Sequence, residues 1–579
     1  MKRLNLLFAS LLMLLIACQQ APKDLGFPKV APLQSVSFCA PKTVVLNTEP
    51  GFDGTLTPLF GGLTENFTYP ITTKSKVAQK YFDQGLMLAY GFNHAEAARS
   101  FQEAAKQDPE CALCWWGVGY VLGPNYNMGM EPEVIPMANE AVAKAKLLAH
   151  NCSPKEQALI RALSKRYPKS LDEDPQPYYE AYAAELEKVM AEFPDDLDIA
   201  AMTAEALMDL HPWDLWLKDG TPQPWTPQII EIIEGILAKD PRHVQAIHLY
   251  IHATEASAEP ERAIPYANTL RTLVPGSGHL VHMASHTYIN TGHFYEGWVA
   301  NERAVKVDSN YVDACHAAGV YPLAYYPHNW HFLAACASFI GKGDRAIEAS
   351  RYMAEHVVSK EMINEPAFGA TLQHFYAIPW YVMVKFSKWD DLIAEPEPAD
   401  KGMLYPLSIW HYARGMAYAN KGDHAAANKE LEAVKVIEQD TSLVDLKVFD
   451  INNALQLVTI ARLVLEAEIA KHKGDFPAAI AKLREAVAIE DELSYNEPPD
   501  WFFSVRHPLG DVLNQAGQFA EAEKVFLEDL REFKENGWAL AGLHKALKGQ
   551  GKSGEAKAVK SRLDNAWKYA DRQVVLGKM

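Results

Sequence analysis

Residues Tyr81–Glu110 read YFDQGLMLAYGFNHAEAARSFQEAAKQDPE, and this stretch decides the fold. Apolar residues fall at helical spacing up to Tyr90, a tight turn is signalled at Gly91–Asn93, and a small-residue helix follows. In that second helix Ala97, Phe101 and Ala105 lie four apart and so share one face. Asp108-Pro109 closes it, because proline cannot continue a helix. The unit is a pair of helices whose small side chains permit close approach.

Similar units recur down the chain. Turn signals stand at Thr291-Gly292-His293, Lys342-Gly343-Asp344, Lys421-Gly422-Asp423, Lys473-Gly474-Asp475, Ala516-Gly517-Gln518 and Gln550-Gly551-Lys552, each ahead of an Ala-rich helix. Gly517 and Gly551 are 34 residues apart, the period of the tetratricopeptide repeat, which this pattern resembles. Other gaps are longer, so loops or extra helices are inserted. Almost nowhere is there a period-two, β-branched run. The spacing therefore predicts an all-α, TPR-like superhelical solenoid whose helix pairs bury their faces against neighbours. Residues 81–390 form a His- and Trp-rich block, Ala394-Glu395-Pro396-Glu397-Pro398 marks a loop, and 400–579 hold more regular repeats.

The beginning of the chain bears on its compartment. Lys2 and Arg3 precede an apolar run, Leu4 to Ile16, that is short for a membrane span and laid out like a secretory signal. It closes on Leu15-Ile16-Ala17-Cys18, which resembles the bacterial lipobox. The resemblance implies a signal peptide over 1–17, lipidation of Cys18 and, with Gln19 next, residence in the outer membrane facing periplasm or exterior. Residues 18–80, rich in Pro, Gly, Thr and Lys, read as a tether and an irregular N-terminal cap. The membrane is reached through the lipid alone. A net charge of −18 over 579 residues argues against a nucleic-acid partner, which needs a basic face. Cys111 and Cys114 form a CxxC followed by Trp115 and with no second CxxC, leaving a disulfide, a redox dithiol or two buried thiols, of which a structural role is favoured.

The most informative chemistry lies between residues 243 and 331. His248, His252 and Glu255 stand at i, i+4 and i+7, and one helix face presents all three. His282 and His286 are again four apart and follow the first pair by 34 residues, so adjacent repeats bring four imidazoles to one patch. His328 and His331 add two more at the start of the next unit, while His316, 34 beyond His282, ranks lower because Ala314, Cys315 and Ala317 suggest a packed helix. Two histidines at i, i+4 can reach one ion with bonds of about 2.0–2.1 Å. Glu255 could supply an oxygen ligand, orient an imidazole or act as a base. Hydrogen-bonded histidines without metal are the rival reading. Imidazole suits Zn, Cu or Fe alike. The pattern is not HExxH, since Leu249 follows His248, and there is no GxSxG, so Ser285 between histidines is a weak candidate for Ser–His chemistry.

Further stretches carry a family resemblance: Phe92-Asn93-His94-Ala95-Glu96-Ala97, Gly123-Pro124-Asn125-Tyr126-Asn127, His211-Pro212-Trp213-Asp214, Tyr495-Asn496-Glu497-Pro498-Pro499 and Asn536-Gly537-Trp538-Ala539-Leu540. The chain resembles a large bacterial family of exported tetratricopeptide-type proteins, in which the second histidine segment reads His-Met-Pro-Ser-His; here Ala284 replaces the proline. The resemblance widens the candidate site to His94, with Asn93, Asn125 and Asn127 near it, although turn and capping roles account for these residues equally well. Trp115, Trp116, Trp213, Trp216 and Trp225 form either a stacking surface or filler between helices. Two function classes follow: an anchored scaffold that presents a concave groove to a protein or peptide and holds a metal in it, or a metal-dependent hydrolase or oxidoreductase with Glu255 as base.

Overall fold

The computed structural model describes residues 57–571, apart from 315, 316 and 318. The expected signal peptide, Cys18, most of the tether, Cys315 and His316 lie outside the described residues. Among the described residues helices follow one another from Lys76–Tyr90 to Ser553–Ala566, and the only strands are Lys447–Val448 and Asn452–Asn453, paired antiparallel. The chain is an all-α, TPR-like solenoid. No helix among the described residues is long and apolar enough to cross a membrane.

Local chemistry explains the recurring Lys-Gly-Asp. Gly422 and Gly474 take the left-handed conformation that ends one helix, with φ of 82° and 79°. Asp423 and Asp475 then cap the next, each accepting from the backbone N–H three residues on. Two sites depart from the sequence reading. In the first pair the left-handed residue is Phe92 (φ 55°), one past Gly91, with Asn93 as the cap. At Lys342-Gly343-Asp344 the turn glycine is Gly341, and Gly343 already opens the helix Gly343–Tyr352. The first helix also begins at Lys76, ahead of the boundary expected at 81. Residues 57–75 carry no helix; Asp83 accepts from Thr68 and Tyr69, and Glu156 accepts from Thr72, which pins this segment to the first repeats. Cys111 and Cys114 are joined as a disulfide at the start of Ala112–Val121.

The repeat identity is clearest in the core. Phe101 is fully buried between Gly85 and Gly117, sixteen residues before and after it, and Phe526 lies in the same way between Gly510 and Gly542. A Cβ at Gly542 would stand 2.0 Å from the Phe526 ring, and one at Gly510 2.3 Å from it. The ring is boxed from both sides. Buried apolar side chains form two contiguous clusters, one from Leu63 to Tyr325 and the other from Ile289 to Leu563. They interleave around the segments that carry the central histidines.

This packing predicts opposite outcomes for one chemical change. Alanine in place of a helical glycine gains about 1 kcal/mol of helix propensity. At Gly235, where nothing lies within 4 Å of an added Cβ, that gain stands alone, and Gly235→Ala should raise the urea midpoint. At Gly542 overpacking of about 1–3 kcal/mol outweighs it, so Gly542→Ala should lower the midpoint. Equal or inverted shifts in urea denaturation would refute the boxed-ring account.

Candidate metal centre

Four helices and one loop build the site. Val244–Glu255 carries His248, His252 and Glu255; Gly278–His282 and Ala284–Thr291 carry His279, His282 and His286; Tyr326–Phe339 carries His328 and His331. Glu497 arrives from the loop between Phe476–Glu490 and Arg506–Gln515. The stacking of His248/His252 beside His282/His286 that the 34-residue spacing predicts is present: the His252 and His286 ring centroids are 5.5 Å apart.

Each ring is steered by what its Nδ1 touches. His248 Nδ1 lies 2.6 Å from the Tyr90 carbonyl, which can only accept, so the proton is on Nδ1. His252 Nδ1 donates to Glu255 Oε1 at 3.0 Å. His286 Nδ1 sits 2.9 Å from Glu255 Oε2 and 2.7 Å from Glu497 Oε2. His282 Nδ1 donates to Asn301 Oδ1 at 2.7 Å, and Asn301 Nδ2 donates to the Gly297 carbonyl, which fixes the amide orientation. In a neutral ring so tethered Nε2 is a lone pair; where the ring is charged, as Glu255 and Glu497 favour for His286, Nε2 carries a proton that His282 can accept. His282 Nε2 and His286 Nε2 lie 3.0 Å apart, with His328 Nε2 3.3 Å from His286 Nε2. Two imidazole nitrogens on one tetrahedral ion stand about 3.3 Å apart for bonds of about 2.0–2.1 Å. Carboxylates behind the rings and converging nitrogens in front are the arrangement by which proteins orient metal-bound histidine.

Burial and charge fit this account. Burial, and then the neighbouring imidazoles, hold His248, His279, His282 and His328 well below the ordinary histidine value. His286 differs: burial opposes its charge, but Glu255 and Glu497 overcome it and raise the ring to about 10. Burial would raise Glu255 too, yet His252 and His286 hold its carboxyl below the usual range. Burial raises Glu497, partly offset by His286. Asn290 Nδ2 donates to Glu497 Oε1 and to the Glu255 carbonyl, tying the loop to the ladder. Aromatic residues in left-handed backbone wall the cluster. Phe92 (φ 55°) packs on His248 at 4.3 Å between centroids, Trp213 (φ 59°) on His252 at 5.8 Å, and Phe449 (φ 50°) on His328 at 6.0 Å. A bulky residue held there costs about 1–3 kcal/mol, a strain that collects around functional sites.

Not all the candidates converge. His331 turns to the other side of its helix, against His374 and Phe502 at 5.4 Å between centroids. His94 opens its helix beside the backbone of Val121 and Gly123, where burial and the Arg166 guanidinium hold its ring down to about 3; neither it nor His331 joins the cluster. Glu255, with an oxygen on each of two Nδ1 atoms, occupies the orienting position among the three left open for it. Ser285 is buried and donates to the His282 carbonyl, which is helix back-bonding. Asn93 is a helix cap. Of the tryptophans, Trp116 is buried, Trp225 stacks on His211 at 3.7 Å and Trp213 alone reaches the histidines, so they form no single platform. The structure adds His279, whose ring lies 5.0 Å from His248, and Glu497. His279 was legible as a further histidine on the same short helix, three before His282; the stretch Tyr495–Pro499 stood out by resemblance, but nothing in it assigned Glu497 to the histidines.

A second buried polar chain was not foreseen. Lys385 Nζ donates to His507 Nδ1 at 2.8 Å, and His507 Nε2 donates to Asp529 Oδ2 at 3.0 Å. The chain borders a cavity of about 110 Å³ whose walls include Tyr381, Tyr412, Trp501 and Phe503. Burial pushes Lys385 down to about 7, only partly countered by Asp529.

Comparison with known proteins adds little. No protein-family model matches the chain, and no curated protein does. Among solved structures, the human IFIT1 dimer with m7Gppp-AAAA is similar at 12% identity over 86% of this chain and 91% of that one, with a TM-score of 0.29. Yeast Tom70 is similar at 12% identity over 85% and 91%, with a TM-score of 0.26. Scores this low carry no argument about function.

The Lys385 chain yields a pH test. The folded-state value of about 7 lies below the 10.5 of the free side chain, so the unfolded chain binds more protons between these limits and stability rises with pH there. Lys385→Met removes that slope. Its stability relative to wild type should be greatest at pH 7 and should shrink toward pH 10, by on the order of 1 kcal/mol or more. A difference in urea midpoint that is flat with pH would show that Lys385 is not buried in this way.

Proposed function

We propose that the protein is a lipid-anchored helical-repeat binding protein of the cell envelope that carries a transition-metal ion in its imidazole cluster and presents the inner face of the array to a protein or peptide. One observation carries the metal reading: His286 Nε2 lies 3.0 Å from His282 Nε2 and 3.3 Å from His328 Nε2, the three ligand atoms fall within 4.8 Å of one another, and the Nδ1 atoms of His282 and His286 face acceptors behind them. Without metal, one proton shared between His282 and His286 spans the 3.0 Å gap; a cation in its place would also engage His328. The basic n-region, the Leu4–Ile16 run and Cys18 support the anchor and outer-membrane residence.

A second reading is favoured by ligand number. Three imidazoles leave a fourth position open, as in metal centres that activate water or polarise a substrate. In such a hydrolase or oxidoreductase Glu255 would serve as base only by releasing an imidazole.

Full-length protein purified from membranes in detergent without a histidine tag, supplied with Zn, Cu and Fe, should retain metal by elemental analysis. His286→Ala should abolish retention at its triad. Glu497→Gln should keep the stoichiometry and weaken affinity about 10–100-fold, the cost of removing an orienting partner. Cys18→Ala should move the protein from the membrane to the soluble fraction. Wild-type protein that retains no metal would remove the metal reading, and Cys18→Ala protein still in the membrane would remove the anchor.

A further inference from the structure

We infer that the cluster is a dinuclear centre, with one ion held by His248, His252 and His279, a second by His282, His286 and His328, and copper the preferred occupant of both. This rests on the reading above that the cluster binds metal, and adds the number of ions, their ligands and their class.

The ligand atoms fall into two triads, and within each they lie no more than 4.8 Å from one another. The second triad is the convergence already described. The first stands on separate evidence. With Nδ1 of His248 given to the Tyr90 carbonyl and Nδ1 of His252 to Glu255, both Nε2 atoms are lone pairs, and neither has a hydrogen-bond partner. Neither ring nitrogen of His279 has one. These rings are 0%, 2% and 1% exposed, so water does not replace the missing partners at the surface. A buried polar atom left unsatisfied forfeits the hydration it had in the unfolded chain, and the first triad holds four of them. A single cation that takes one lone pair from each ring relieves three at once.

One ion cannot serve both triads, because a tetrahedral ion takes four ligands and the cluster offers six imidazoles. The triads are nonetheless neighbours. His252 adjoins His286 at 5.5 Å and His279 adjoins His282 at 5.9 Å between centroids. Glu255 braces one ring of each, its Oε1 on His252 and its Oε2 on His286. Glu255, His286 and Glu497 also lie close together, but there the ring presents Nδ1 to two carboxylates at 2.9 and 2.7 Å, an ion-pair arrangement and not a set of imidazole nitrogens. The carboxylates thus stand on the Nδ1 edges of His252 and His286, and the coordinating atoms of both triads are imidazole nitrogens, His286 giving up its Nε2 proton to the ion. Such a set disfavours Mg, Ca and Mn, which seek oxygen, and among late first-row ions copper binds nitrogen sites most tightly.

The test is stoichiometric. Full-length apoprotein, prepared with a chelator and without a histidine tag, is saturated with CuSO4 or with ZnCl2, desalted and analysed for metal per chain. Wild type should hold about two copper ions, and His279→Ala and His328→Ala about one each. His331→Ala, a buried histidine outside both triads, should keep two and controls for general loss of packing. From an equimolar mixture of copper and zinc, copper should be retained. Wild type that saturates at one ion overturns the dinuclear assignment while leaving metal binding intact; no metal at all defeats the underlying reading instead. If His279→Ala loses its helical circular dichroism, the half-buried His328 decides alone: one ion left in His328→Ala upholds the pair, and none or two overturns it. Zinc retained over copper overturns the metal class.

Discussion

The direction of the imidazole rings depends on one constraint: each Nδ1 proton of the anchored rings must find an acceptor in a place without water. The Tyr90 carbonyl, Glu255, Asn301 and Glu497 supply those acceptors, and each sits on a different piece of the array. Were any of these rings free to turn, its two nitrogens would be interchangeable and the lone pairs would scatter. Fixed as they are, the reactive edges of the rings all face inward.

The repeat architecture makes this possible. Where glycine meets an aromatic ring, as at Gly85, Phe101 and Gly117, neighbouring helices pack closely, and that contact helps set the offset between successive units. Equivalent side chains then fall into register, and histidines one repeat apart become neighbours. The two apolar clusters interleave around these helices, so the polar rings stand where the packing of both halves meets. A site in such a place is rigid because nothing near it can relax alone.

Most of the scaffold was readable from local signals, since helix pairs, turn glycines and capping Asp or Asn residues act within a few positions. Phe92 was not, because a bulky aromatic in left-handed backbone defies propensity and is tolerated only through its packing on His248. The 34-residue register placed His248, His252, His282 and His286 together. His331 was added only as a neighbour of His328, and there the reading failed. Three residues along a helix rotate a side chain by about 60°, and on a helix wedged between neighbours that suffices to pass a ring from one neighbour to the next. The role of Glu497, in a stretch marked only by resemblance, was hidden for another reason: its partner Asn290 is 207 residues away, and no periodicity links a loop to a helix across that distance.

That separation also sets a schedule. Tyr90 is made before any ring it helps to orient, whereas Glu497 follows the last of the six histidines by about 170 residues. At about 5–20 residues per second, the nascent chain holds a complete set of imidazoles for roughly ten to thirty seconds before the loop that backs His286 exists. The cluster is therefore born open and is closed from behind.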